Sequence, residues 1–134
     1  MRSHILNTYM DAIVIMLLLQ IKHWYADFWI QSYLQTVYKG VYGHPVGFSH
    51  TLEQTIGTLI ALLIASYFSP ISVALIIKLA LLDMIVHYHV DWVKMKYGTK
   101  DNKTTRYWRE FGLDQLVHQL TYILITYIVM KSMI

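Results

Sequence analysis

Cysteine is absent, and with it disulfides and thiolate metal sites. Charge is scarce: 14% of residues are Asp, Glu, Lys or Arg, against roughly 25% in a soluble domain. A soluble chain of 134 residues must cover a large surface with polar groups, and this one lacks the charges to do so. Proline is limited to two residues and glycine to six, which leaves long stretches free of helix breakers. Gly-rich phosphate loops, nucleophile elbows and nucleic-acid motifs are missing, so no nucleic-acid partner is expected. What fills the space is apolar, at 56% of the chain, above the roughly 45–50% of ordinary domains. Lipid is the simpler solvent. The run Ala12–Leu19 has the length of a signal-peptide core, but no basic leader precedes it and no small-residue cleavage site follows. It reads as part of the mature protein.

The apolar runs are continuous rather than alternating, which excludes a β-barrel. They predict an all-α fold: a single transmembrane domain over 1–134, with helices at about 5–39, 50–68, 71–96 and 108–133. Gly40–Ser49 is a loop, Ser69-Pro70 a very short turn, and Tyr97–Thr105 a polar loop. Short connections imply a four-helix up-down-up-down bundle. Lys94, Lys96, Lys100, Lys103, Arg106 and Arg109 flank the third loop and Lys39 the first, whereas the far side has Arg2 and Lys131. By the positive-inside rule, loops one and three face the cytoplasm of a multi-pass inner-membrane protein. The competing reading of these charges is a basic patch for anionic lipid or nucleic acid. Trp24, Trp29, Trp92, Tyr107 and Trp108 cluster near helix ends, as an interfacial belt would.

Histidine and aspartate recur four residues apart: His23/Asp27, Asp83/His87, His87/Asp91 and Asp114/His118. Such pairs share a helix face about 5–6 Å apart and can close on one ion. Random placement of seven His and six Asp predicts about 0.6 pairs of this kind, and the sequence has four. An ionisable group within a membrane costs several kcal/mol unless paired or hydrated. His23, Asp27, His87, Asp91, Asp114 and His118 all lie toward the ends bearing loops one and three, where His50 opens the second helix. In an up-down bundle these seven groups converge in one cavity. They form a candidate metal site; the competing reading is a His–Asp hydrogen-bond network holding the helices together. Seven candidates exceed one tetrahedral shell, which leans toward two ions or one ion with supporting partners. Imidazole and carboxylate without sulfur suit zinc, manganese or iron.

Gln31, Gln54 and Gln115 stand beside these groups as candidate supporting partners. Lys39 and Lys94 lie toward the loops, where they can meet a phosphate or, more simply, snorkel to lipid headgroups. His4, His44 and His89 read singly as satisfied core or interfacial histidines, and Asp83 as a helix-packing hydrogen-bonder with a weaker claim to a metal.

The pattern His23–Gln31 (HWYADFWIQ) with Lys39, then SHTLEQ with His50, HYHVDWVK with His87, Asp91 and Lys94, and FGLDQLVHQL with Asp114, Gln115 and His118 resembles the domain of unknown function 3307 family, found in bacterial and phage membrane proteins. The resemblance covers nearly the whole chain and departs at Gln54, where the family's second helix would carry another histidine. Its layout is similar to that of predicted membrane-bound metal-dependent hydrolases. It implies metal binding, more weakly hydrolysis, and a bacterial or phage origin.

Two functions are therefore expected from different classes. One is a metal-dependent hydrolase acting on a lipid or phosphoester, with the seven residues as ligands or general base and Asp91 and Asp114 as its catalytic carboxylates. The other is a non-enzymatic membrane protein (structural, ion-handling or altering a host envelope) with a buried His–Asp core. Membrane lipid is the expected partner, and four helices are few to seal a cavity, which leaves room for a homo-oligomer.

Overall fold

The computed structural model describes residues 2–133, with side chains from residue 9 onward, so Arg2 and His4 lie outside the described side chains. The described residues form five α-helices: α1 (Arg2–Trp24), α2 (Tyr33–Tyr38), α3 (Pro45–Ser66), α4 (Val73–Tyr97) and α5 (Thr105–Ser132). A π-helical turn, Tyr25–Ile30, extends α1. The all-α expectation is met. The first expected helix, 5–39, is instead divided into α1, the π turn and α2.

The break is local chemistry. Gln31 leaves the helical region, and Ser32 opens α2 with a capping box. The Gln35 amide donates to Ser32 Oγ at 3.2 Å, and the Ser32 amide donates to Gln35 Oε1 at 2.7 Å. At the next turn Gly43 takes φ 75°, a left-handed conformation that glycine adopts without strain. α3 starts earlier than expected because Pro45 suits a first helical position and the Val46 amide donates to His44 Nδ1. Ser72 and Thr104 cap α4 and α5 through their hydroxyls.

Gly47 lets α3 pass close to α2. A Cβ there would meet the Tyr38 carbonyl oxygen at 2.6 Å. Gly47→Ala is expected to cost about 1–3 kcal/mol, the usual range for forced overpacking. Unfolding of the detergent-solubilised protein checks it, and a loss below a few tenths of a kcal/mol would show that α2 yields freely.

α1 packs on α3 and α5, and α4 packs on the same two helices, so the four long helices close a ring. One end of the ring is filled by Ile15, Leu19, Leu62, Ile76, Leu79, Tyr122, Ile125 and Val129. The other end, nearer the α2–α3 and α4–α5 connections, is polar. Among the described residues, buried polar side chains outnumber buried apolar ones, while Ile13, Leu17, Ile60, Ile85, Leu120 and Ile123 are exposed. That is the inverse of a water-soluble protein.

Tyr9–Ile30, Pro45–Ser66 and Val73–Tyr97 are each long and apolar enough to cross a membrane. α5 is as long, but its first half carries Arg106, Arg109, Glu110, Asp114, Gln115 and His118, which lower its average hydropathy. Two of these, Asp114 and His118, face inward; outward stand Leu113, Leu116, Leu120 and Tyr127. Lys78, exposed near the start of α4, adds a cation to the side opposite the basic loops.

Candidate metal centre

The polar end gathers side chains from every long helix. α1 supplies His23, the π turn Asp27, α3 His50, α4 His87 and Asp91, and α5 Asp114 and His118. Except for Asp27, whose side chain is 8% exposed, each of these residues is 5% exposed or less. π-helical turns occur often at functional sites, and this one carries the carboxylate that reaches α3.

Asp27 Oδ1 lies 3.0 Å from His50 Nε2 and 3.6 Å from His87 Nε2. The two imidazole nitrogens face each other at 3.2 Å. Asp91 Oδ2 lies 3.2 Å from His87 Nε2 and 3.6 Å from His50 Nε2. Its other oxygen is 3.5 Å from His118 Nε2, which in turn is 3.4 Å from Asp114 Oδ1. The His87 and His118 rings stack with centroids 4.2 Å apart.

Three trios bring one ligand atom per residue within 4.8 Å of one another: Asp27/His87/His118, His50/His87/Asp91 and Asp91/Asp114/His118. These buried groups can hold a metal ion. His118 Nε2 and Asp114 Oδ1 are buried and have no hydrogen-bond partner. An unpaired polar atom in such a place is costly, and a shared cation would satisfy both. The donor set therefore fits a divalent ion.

His23 belongs to the cluster without joining a trio. Both ring nitrogens are already engaged, Nε2 with Gln115 Oε1 at 3.0 Å and Nδ1 with the Tyr122 hydroxyl at 2.9 Å. It also lies 3.4 Å from Asp27 Oδ2. The three expected glutamines all touch the cluster. Gln54 donates to Asp27 Oδ1 at 2.6 Å, Gln115 donates to Asp114 Oδ2 at 3.2 Å, and Gln31 accepts from Lys39 at 2.7 Å.

Lys39 does not snorkel. It is buried, and its ammonium sits 2.8 Å from Asp91 Oδ2. The capped break before α2 turns it inward, which a continuous helix would not have done. Lys94 is partly exposed, 3.6 Å from Asp114 Oδ2 and over the Phe111 ring. His44 caps α3 and His89 is exposed, so both lie apart from the cluster.

One turn deeper lies a group that the sequence reading missed. Lys22 pairs with Asp83 at 2.7 Å and donates to Gln54 Oε1 at 2.9 Å. Thr58 also donates to Asp83. Lys22 precedes His23, and only its apolar neighbours marked it as an unusual lysine. Glu53 stands at the margin, 3.7 Å from His50 Nδ1 and accepting from Gln35.

The protein-family model described as "Protein of unknown function (DUF3307)" matches residues 13–134. No curated protein and no solved structure matches the chain.

Proposed function

We propose that this chain, which belongs to the DUF3307 family, is an integral membrane metal-binding protein that hydrolyses a lipid ester or phosphoester. One observation carries the reading: imidazole and carboxylate groups from α3, α4, α5 and the π turn that extends α1 meet within a few ångströms in a buried place. The four long helices would cross as an up-down-up-down bundle, α5 included, since its polar groups Asp114 and His118 face inward and its outer face is apolar. The basic α4–α5 connection would face the cytoplasm of the inner membrane.

His50, His87, His118, Asp27, Asp91 and Asp114 would hold one or two ions of zinc, manganese or iron. A bound divalent ion supplies Lewis acidity, polarising an ester and lowering the pKa of water. The chain's own groups do the rest. Gln54 fixes the Asp27 carboxylate, and Gln115 orients His23 and steadies Asp114. Asp114, or Asp91 3.5 Å from His118 Nε2, would take a proton from an attacking water. Lys39 offsets the charge of Asp91.

Metal content after chelator-free purification tests this. Wild type should retain about one or two transition-metal ions per chain; His87→Ala should lose them, and Asp114→Ala should lose part. A metal-loaded wild type that cleaves no substrate in a lipid and phosphoester panel would remove hydrolysis and leave metal binding. A metal-free wild type would remove both.

A second reading has its own support. Lys39 on Asp91 and Lys22 on Asp83 are buried ion pairs that neutralise carboxylates without any ion. They suit a non-enzymatic protein whose polar core fixes helix register.

A further inference from the structure

Between α4 and α5 runs an open groove of about 510 Å³. Its floor and walls are apolar, with Val90, Val93, Leu113 and Val117 along its length. Leu113 is 61% exposed and Val93 48% exposed. One wall is Asp114, whose buried Oδ1 is unpartnered and faces His118. The groove therefore connects the outer surface to the edge of the cluster.

Its charge is uneven. Lys94 lines it beside Asp114, with its ammonium 3.6 Å from that carboxylate and partly open to the outside. Arg106 lines it too, paired with Glu110 at 2.6 Å. Lys96 near the end of α4, Lys100 and Lys103 on the connection and Arg109 early in α5 add cations, against Asp101 and Glu110. An apolar trough ending in surplus positive charge matches a molecule with a long hydrocarbon tail and an anionic head.

We propose that the α4–α5 groove binds one anionic glycerophospholipid. Its acyl chain lies along Val90, Val93, Leu113 and Val117, and its phosphate meets Lys94. This places the ester region of the lipid against Asp114. The proposal rests on the membrane and metal-site reading for its catalytic meaning, but the binding it asserts can be measured alone. In water, burial of the acyl chain would itself drive binding. In a bilayer that gain disappears, because the tail leaves one hydrocarbon for another. Selectivity must then come from the head, through Lys94.

Native mass spectrometry of the full chain, released from micelles containing equal phosphatidylglycerol and phosphatidylcholine, tests it. Elemental analysis of the same samples reports the metal. Wild type should keep one phosphatidylglycerol in preference to phosphatidylcholine. Leu113→Trp and Val93→Trp fill the groove from exposed positions that carry no core packing. Each should cut the retained lipid about tenfold while metal content stays at the wild-type level. Lys94→Gln should abolish the preference for the anionic lipid, as loss of a charged hydrogen-bond donor does. Equal lipid retention in wild type and both tryptophan variants would overturn the groove assignment whatever the metal content. Displacement of the lipid by inorganic phosphate would overturn it too. Groove-dependent lipid in a chain without metal would uphold this proposal and sink the metal reading instead.

Discussion

Asp83→Leu should lower the stability of the folded chain by about 3–5 kcal/mol, the loss that follows when one member of a buried ion pair is removed and the other is left behind. Lys22 and Asp83 are 2.7 Å apart with side chains 7% and 2% exposed. No other carboxylate is within ion-pair distance of Lys22 among the described residues. Strand the ammonium, and it keeps the Gln54 carbonyl oxygen and the face of the Tyr122 ring, neither of which carries a full negative charge. The double variant Lys22→Met/Asp83→Leu replaces both charges with apolar groups and should regain most of the loss, since such exchanges are often neutral or stabilising. Unfolding in mixed micelles, followed by tryptophan fluorescence, measures both. A single variant as stable as wild type would mean that the pair is solvated in the native state. The double variant carries a second consequence. Lys22 holds the Gln54 oxygen, which leaves the Gln54 nitrogen for Asp27. Without Lys22 that amide is free to flip, and Asp27 loses its fixed donor.

Metal retention should fall in an order set by membership in the three trios. His87, Asp91 and His118 each belong to two trios; Asp27, His50 and Asp114 each belong to one; His23 belongs to none. His87→Ala and His118→Ala should weaken binding by more than about 100-fold, beyond the 10–100-fold that loss of a supporting group costs. Asp27→Asn and His50→Ala should lose part of the metal, and His23→Ala should stay within the supporting range. Competition with a metallochromic chelator gives the ranking. A His23→Ala loss as deep as that of His118→Ala would place His23 among the ligands and refute the order. Asp91 needs a paired variant, because Asp91→Asn also strands Lys39. Lys39→Met/Asp91→Asn separates the metal effect from the stranded charge.

Most of the cluster was legible in the sequence, because four-residue spacing on a helix fixes which side chains share a face. His87 with Asp91, and Asp114 with His118, are such pairs and lie at 3.2 and 3.4 Å. The all-helical fold followed from long apolar runs without breakers. The division of the first segment was harder to see. Its signal, Ser32 followed three residues later by Gln35, is a capping box set in a helix-compatible stretch. Missing that break sent Lys39 to the headgroups, when the turn sends it to Asp91. Lys22 escaped for another reason. Its partner Asp83 is remote in sequence, and no local spacing predicts a contact between helices. The π turn leaves no mark in composition at all.

The separation of partners along the chain bears on how such a protein can be made. Lys22 bonds a residue 61 positions later, and the Tyr122 hydroxyl that occupies His23 is 99 positions away. During synthesis, α1 therefore emerges with a lysine and a histidine whose partners do not yet exist. On insertion scales a charged residue at mid-helix costs roughly 2.5–3.5 kcal/mol; Lys22 and His23 stand in the last turn of α1, where the cost is smaller but is not offset by a partner on α1 itself. Alone in lipid, α1 would keep Lys22 near its end without the carboxylate that it meets in the folded chain. The Lys22 pair would form only once α4 delivers Asp83, and the polar end would close only when α5 arrives. Chains truncated before α4 should be digested by a protease in micelles faster than the full-length chain, since Lys22 and His23 then lack Asp83 and Tyr122. For this protein, the order of birth of the helices and the chemistry of its core are one constraint.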